Sequence, residues 1–99
     1  MKVIPKKYFL RTAKKYKKKH YDLTKVNKIV ELIEAENFKE LKEKHKLGVI
    51  HGTHPPLYHV HVDRSYNDDW LLFYTTRLAC IVLLILVLSL LLVKESNDH

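Results

Sequence analysis

The chain has 99 residues, which is enough for one small domain with a modest core, residues 1–99, and too few for two. It carries 18 Lys and Arg residues against 11 Asp and Glu, a formal net charge of +7. Residues 1–28 hold most of the basic side chains and one acid, Asp22. This polarised excess of positive charge favours a polyanion or an acidic protein as the partner.

Cys80 is the one cysteine of the chain. A single thiol cannot form an intramolecular disulfide, so the composition excludes a disulfide scaffold and predicts a reducing, cytoplasmic location. The first ten residues mix lysines with apolar residues and lack the continuous hydrophobic region of a signal peptide. We therefore expect a protein that is not secreted.

The N-terminal part of the chain predicts a short strand and a basic helix. Lys2-Val3-Ile4 precedes Pro5, a combination that edge strands tolerate. Residues 6–20 then place apolar side chains at helical spacing, with lysines over the rest of the surface. The lysine run is either a surface for nucleic acid or a protein partner, or a solvated cationic face.

Two further helices are predicted before residue 48. Asp22 and Thr24 can cap a helix whose apolar stripe runs to about Asn37, and this helix can pack against the first as a hairpin. A short third helix is predicted from Phe38 to His45, ending near Gly48. Residues 48–56 contain both glycines and two prolines, so they are predicted to be a loop that exposes His51 and His54.

Residues 58–74 are predicted to form a β-hairpin around a polar turn. In the first strand the alternation puts Leu57, His59 and His61 on one face. Residues 63–69 are rich in turn formers, and residues 70–74 follow as a mainly apolar, aromatic strand. The hairpin thus carries a histidine-bearing face, where proton transfer chemistry is available.

The apolar run of residues 78–93 has two interpretations. It contains no charge and eight leucines, and we expect it to be either one strand buried on both faces or two strands bent near Ser89. Read as a helix, it would be about 24 Å long, shorter than a hydrocarbon core of about 30 Å. The alternative is a small membrane protein anchored by residues 70–93, with Arg77 inside the span.

Several short motifs resemble those of the RelE/ParE superfamily of bacterial toxins, and among them the YafQ-like mRNA interferases. The segment His61-Val62, followed by Asp69-Trp70-Leu71-Leu72-Phe73-Tyr74, resembles the family pattern His-Val, then Asp-Trp-Leu-Leu-Ile-Tyr. Two flanking segments resemble the family's His-Pro-Leu and Thr-Gly-Thr-His, namely His45-Lys46-Leu47 and Ser96-Asn97-Asp98-His99. The turn before Asp69 is about four residues longer than in the family pattern.

The resemblance implies a RelE-like α+β fold, with an N-terminal strand and two to three helices packed on an antiparallel sheet. It also implies a type II toxin: a metal-independent endoribonuclease without a cofactor that cuts messenger RNA on the ribosome. Its partner would be an acidic antitoxin of the DinJ or RelB kind. The resemblance assigns catalysis to His45, His61, Asp69 and His99, and we assign RNA and ribosome contacts to Lys14, Lys15, Lys18, Lys19, Trp70 and Lys94.

These residue types suit RNA cleavage by the 2′-hydroxyl. That reaction needs one group to take the hydroxyl proton, another to protonate the departing 5′ oxygen, and fixed positive charge for the phosphorane. Histidine, with an ordinary pKa of about 6.5, can act in either direction at neutral pH. We therefore predict His61 and His99 as the acid-base pair, His45 as a phosphate or proton partner, and Asp69 as the residue that orients a histidine or takes a proton.

Other interpretations remain open on the sequence. A ParE-like or degenerate relative would keep the fold and the antitoxin surface without cleaving RNA. Four histidines lie within eleven residues and can be a transition-metal site: His51, His54, His59 and His61. Trp70 can be a core residue rather than a stacking platform for RNA, and Asp69 can serve only the turn.

Overall fold

Eight helices and strands make up the described part of the chain. A computed structural model describes residues 2–50, 52, 55–63, 70–77 and 80–88. In chain order the elements are β1 (Lys2–Pro5), α1 (Lys7–Lys18), α2 (Leu23–Glu34), α3 (Phe38–His45), β2 (Gly48–Ile50), β3 (Leu57–Asp63), β4 (Trp70–Arg77) and β5 (Cys80–Leu88). The predicted α+β fold is confirmed.

The five strands form one sheet in the order β1-β5-β4-β3-β2. The pairs β2 with β3, β3 with β4, and β4 with β5 are antiparallel, whereas β1 lies parallel to β5. The sheet is therefore mixed: the expected antiparallel pairing holds for β2 to β5, and β1 adds a parallel strand at the edge. Parallel pairing needs a long crossover connection, and the three helices and the intervening strands supply it.

Local sequence signals set the ends of the helices. The Asp22 side chain accepts a hydrogen bond from the backbone N–H of Thr24 at the start of α2, and Asn37 caps α3 through the N–H of Glu40. After each helix the chain turns through a residue of positive φ, at His20, Glu36 and Lys46. Such left-handed residues end a helix and let its last carbonyl groups find partners.

The core lies between the helices and one face of the sheet. Alternate strand residues such as Val60, Leu72 and Leu86 are buried against the helices, as the two-residue period of a strand requires. The helices contribute the buried side chains Phe9, Tyr16, Val26, Ile29, Ile33 and Leu41. We call the opposite side of the sheet the distal face; it holds His59, His61, Leu71 and Phe73, which the register places side by side.

Three regions differ from what the sequence predicted or were left open by it. Part of the expected loop, residues 48–50, is strand β2 at the sheet edge. The apolar run is a strand over residues 80–88, between β1 and β4; a bend near Ser89 lies outside the described residues. Among the residues that the structure describes, no helix combines the length and the apolar character needed to cross a membrane.

Candidate active site and basic surface

His45 and His61, two of the predicted catalytic residues, meet at the carboxyl end of β3. The Nδ1 atom of His45, the last residue of α3, lies 2.9 Å from the carbonyl oxygen of His61. A carbonyl oxygen only accepts, so Nδ1 carries the proton and donates it, and the neutral ring has its lone pair on Nε2. This contact fixes the tautomer in which Nε2 can accept a proton.

The contact lies just past the end of β2. The pairing of β2 with β3 begins at Gly48 and His59, and the chain before Gly48 turns away through Lys46, whose φ is 45°. The carbonyl group of His61 therefore lies beyond the last paired residue of β2, where strand edges expose backbone groups. The His45 ring supplies a donor to that carbonyl and joins α3 to β3.

The imidazole of His61 lies on the distal face together with that of His59. The two ring centroids are 6.1 Å apart, and His59 is also 6.1 Å from the ring of Phe73 on β4. Both histidines are partly buried. Their two-residue spacing on one strand, which the sequence showed, is what brings them to one face. The sequence pointed to a role for His59 only in the metal alternative, whereas the structure makes its ring the neighbour of a predicted catalytic residue.

A β-bulge follows His61. The register of β3 against β4 shifts between His61, paired with Leu71, and Asp63, paired with Trp70. Asp63 forms an ion pair with Lys25 of α2, and its side chain is only 10% exposed. Bulges re-aim side chains, and here the bulge accompanies a carboxylate that meets the helix layer rather than the distal face. No signal in the sequence singled out Lys25 or Asp63.

A groove of about 610 Å³ runs between α2, α3 and the end of β3. Its floor is apolar, with Ile29, Leu32 and Val62, and its rim is charged. Lys25, His45 and Asp63 all line it, so the His45–His61 hydrogen bond and the Lys25–Asp63 ion pair lie beside this groove. The groove is on the helix side of the sheet, where Val62 is part of the buried core.

The predicted RNA-binding lysines of α1 form one surface. Arg11, Lys14, Lys15, Lys18 and Lys19, which we call the basic cluster, are exposed and line a shallow cavity of about 410 Å³. Arg11 was not among the predicted residues, although it lies three and four residues before Lys14 and Lys15 and thus on the same helical face. The opposite side of α1 is buried through Phe9 and Tyr16.

Trp70 does not take the position that an RNA-stacking residue needs. Its side chain is fully buried, and its ring packs against those of Tyr16 and Tyr21 at centroid distances of 5.5 and 5.1 Å. Its assignment to the RNA surface is therefore corrected: the ring belongs to the core, because its strand position faces the helices. Aromatic pairs of this geometry stabilise a core beyond the area they bury.

The remaining predicted residues lie outside the part of the chain that the structure describes. These are Asp69, Lys94 and His99, together with His51 and His54 of the possible metal site. Within the described residues, no group of three or more His, Cys, Asp or Glu side chains is arranged to hold a metal ion.

The chain shares its fold with a bacterial toxin. The crystal structure of a copper-bound mutant toxin from Helicobacter pylori superposes with a TM-score of 0.78, covering 93% of this chain and 98% of that one at 20% sequence identity. No protein-family model matches the sequence, and the curated proteins contain no match either. The two chains thus share an architecture at an identity too low to carry more than the fold.

Proposed function

We propose that this protein is the toxin of a bacterial type II toxin–antitoxin pair and acts as a metal-independent endoribonuclease on messenger RNA in the translating ribosome. The observation that carries the proposal is the toxin fold, shared over 93% of the chain. The RelE-like motif residues support it, since two of them come together at the end of β3, where the His45 ring donates to the backbone carbonyl of His61.

In the proposed reaction the 2′-hydroxyl of one nucleotide attacks the adjacent phosphorus and the 5′ oxygen of the next nucleotide departs. The product then ends in a 2′,3′-cyclic phosphate. Of His61 and His99, one takes the proton of the 2′-hydroxyl and the other protonates the departing 5′ oxygen. Asp69 orients a histidine or takes a proton. His45 acts as a phosphate or proton partner, because its Nδ1 is engaged by the His61 carbonyl and its Nε2 is the basic nitrogen.

The basic cluster supplies affinity for ribosomal or messenger RNA in this proposal. Its five positive side chains are exposed along one face of α1. Each phosphate that such a cation neutralises releases counterions, so affinity falls as salt rises. An acidic antitoxin of the DinJ or RelB kind would cover the same charge and silence the toxin in the cytoplasm.

Cleavage of a translated message by purified protein tests the proposal. His61→Gln and His99→Gln remove a titrating group and keep similar size, so cleavage should fall by roughly 10²- to 10⁴-fold, the usual range for general acid-base catalysis. His51→Gln and His54→Gln are the matched controls and should cleave normally. A metal-dependent reaction would instead make His51→Gln and His54→Gln as defective as His61→Gln, and EDTA would stop cleavage by the wild type in a ribosome-free assay.

The second candidate function is a binding module with the same fold but no cleavage, and the basic cluster favours it equally. Sedimentation with ribosomes separates the two candidates. Reversing the charge of Lys14 and Lys18 should weaken sedimentation, whereas reversing Lys39 and Lys42, which are exposed on α3, should change it less. Ribosome binding without cleavage by the wild type would select the binding module, and full activity in His61→Gln and His99→Gln would remove the proposed mechanism.

A further inference from the structure

The carboxyl end of β3 is attached to the helix layer at two points. His45 of α3 donates a hydrogen bond to the carbonyl of His61, and Lys25 of α2 pairs with the carboxylate of Asp63. Between them lies Val62, whose side chain is 5% exposed in the core. Three consecutive residues of β3 are thus fixed by three different contacts with the helices or the core.

The ion pair is placed to hold the bulge. At a regular strand position the side chain of Asp63 would follow that of His61 onto the distal face. The register shift between His61 and Asp63 breaks this alternation, and the carboxylate meets Lys25 on the helix side. A carboxylate that is only 10% exposed is strongly stabilised by a charged partner, and Lys25 supplies one.

Asp63 lies close in sequence to two of the proposed catalytic residues. His61 lies two residues before Asp63, and Asp69 lies in the segment that leaves β3 directly after it. Lys25 reaches this point from α2, across 38 residues of chain. A change at Lys25 therefore reaches His61 through the end of β3, by way of Asp63.

We propose that Lys25 and Asp63 form a positioning pair that holds the bulged end of β3 and thereby sets the orientation of the His61 imidazole for RNA cleavage. This inference rests on the proposed function for its catalytic consequence. Its structural part, the control of His61 by a side chain of α2, does not depend on cleavage. Lys25 and Asp63 are positioning residues here, because they act through the strand.

The test compares variants that break the pair with variants that keep it. Lys25→Met and Asp63→Asn each remove one charge, and the double variant removes both, which avoids leaving a shielded carboxylate without its cation. Lys25→Arg keeps the charge. Lys28→Met is the matched control, because Lys28 lines the same groove one turn along α2 and is exposed. Circular dichroism selects the variants that remain folded.

The first measurement is independent of activity. In ¹⁵N-labelled protein, the ring signals of His61, assigned through His61→Gln, are followed as a function of pH. Lys25→Met, Asp63→Asn and the double variant should each shift these signals or their titration, and the effect of the double variant should be smaller than the sum of the two single effects, since members of one pair are not additive. Lys25→Arg and Lys28→Met should match the wild type. Unchanged His61 signals in the folded double variant would overturn the proposal.

The second measurement is cleavage of a translated message. Breaking the pair should lower kcat by about 10- to 100-fold, the range expected when a catalytic group is displaced by an ångström or less, with KM little changed. Lys25→Arg should restore kcat. Shifted His61 signals with an unchanged kcat would refute the catalytic role of the pair. If the wild type does not cut RNA but the pair-breaking variants show shifted His61 signals, the result would instead refute the proposed function and leave the positioning of His61 supported.

Discussion

Gly48 is the residue whose substitution tests the packing of the distal face most directly. A Cβ atom added at Gly48 would lie 2.5 Å from Nε2 and 2.7 Å from Cε1 of His59, which pairs with it across the strands. These distances are well inside van der Waals contact, so the imidazole would have to move by about 1 Å. His61 and Phe73 lie on the other sides of the ring and restrict where it can go.

Gly48→Ala should lower the free energy of unfolding by roughly 0.5–2 kcal/mol. Overpacking of this kind destabilises by about 1–3 kcal/mol, and the replacement of glycine by alanine within a strand offsets about 0.5–1 kcal/mol of that. In a His59→Ala background the clash is gone, so the same substitution should stabilise the protein by about 0.5–1 kcal/mol. The sign of the effect therefore reverses between the two backgrounds.

Urea unfolding followed by the fluorescence of the buried Trp70 measures these differences. Gly52→Ala is the control: a Cβ there meets nothing within 4 Å, but its φ of 86° is left-handed. Its cost of about 1–2 kcal/mol should be the same whether residue 59 is histidine or alanine. An equal effect of Gly48→Ala in both backgrounds would refute the contact with His59.

Two further predictions concern the pH dependence of stability and the end of α2. Burial, with a smaller contribution from Tyr58, raises the pKa of Tyr74 from 10.0 to about 12. The unfolded chain thus loses this proton first, so the free energy of unfolding should fall from about pH 10 to about pH 12; Tyr74→Phe should flatten that slope in urea titrations, and an identical slope would contradict the assignment. Glu36 has a φ of 55° after α2, so Glu36→Gly should stabilise by about 1 kcal/mol, whereas the control Glu34→Gly, at the last helical residue, should destabilise. A loss of stability in Glu36→Gly, measured by thermal unfolding, would contradict the left-handed geometry.

The sequence predicted the hairpin and the helices well because their signals are local. The alternation of residues 57–62 places Val60 and Val62 in the core and His59 and His61 on the other face, as expected. The predicted third helix, Phe38–His45, matches α3, since Asn37 caps its start and a left-handed residue ends it. Periodicity and caps act over a few residues, and such signals can be read without the fold.

The features that define the candidate site were not predictable in the same way. Strand β2 has three residues and begins at a glycine, so its strand character comes from pairing with β3 rather than from its own sequence. The contacts of His45 with the His61 carbonyl and of Lys25 with Asp63 join residues 16 and 38 positions apart. Nothing in a single sequence pairs such residues, and only the resemblance to a family drew attention to the two histidines.

The fold separates the two surfaces on which the proposed function depends. The basic cluster lies on the exposed side of α1, whose other side packs through Phe9 and Tyr16 onto the core. His59 and His61 lie on the distal face, so the helix layer and the sheet stand between the cluster and these imidazoles. Charge changes on α1 should therefore alter binding and its salt dependence without altering the chemistry at His61. On the proposed function, an inhibitor that covers only α1 would act by preventing attachment to RNA, because α1 and these imidazoles lie on opposite sides of the sheet.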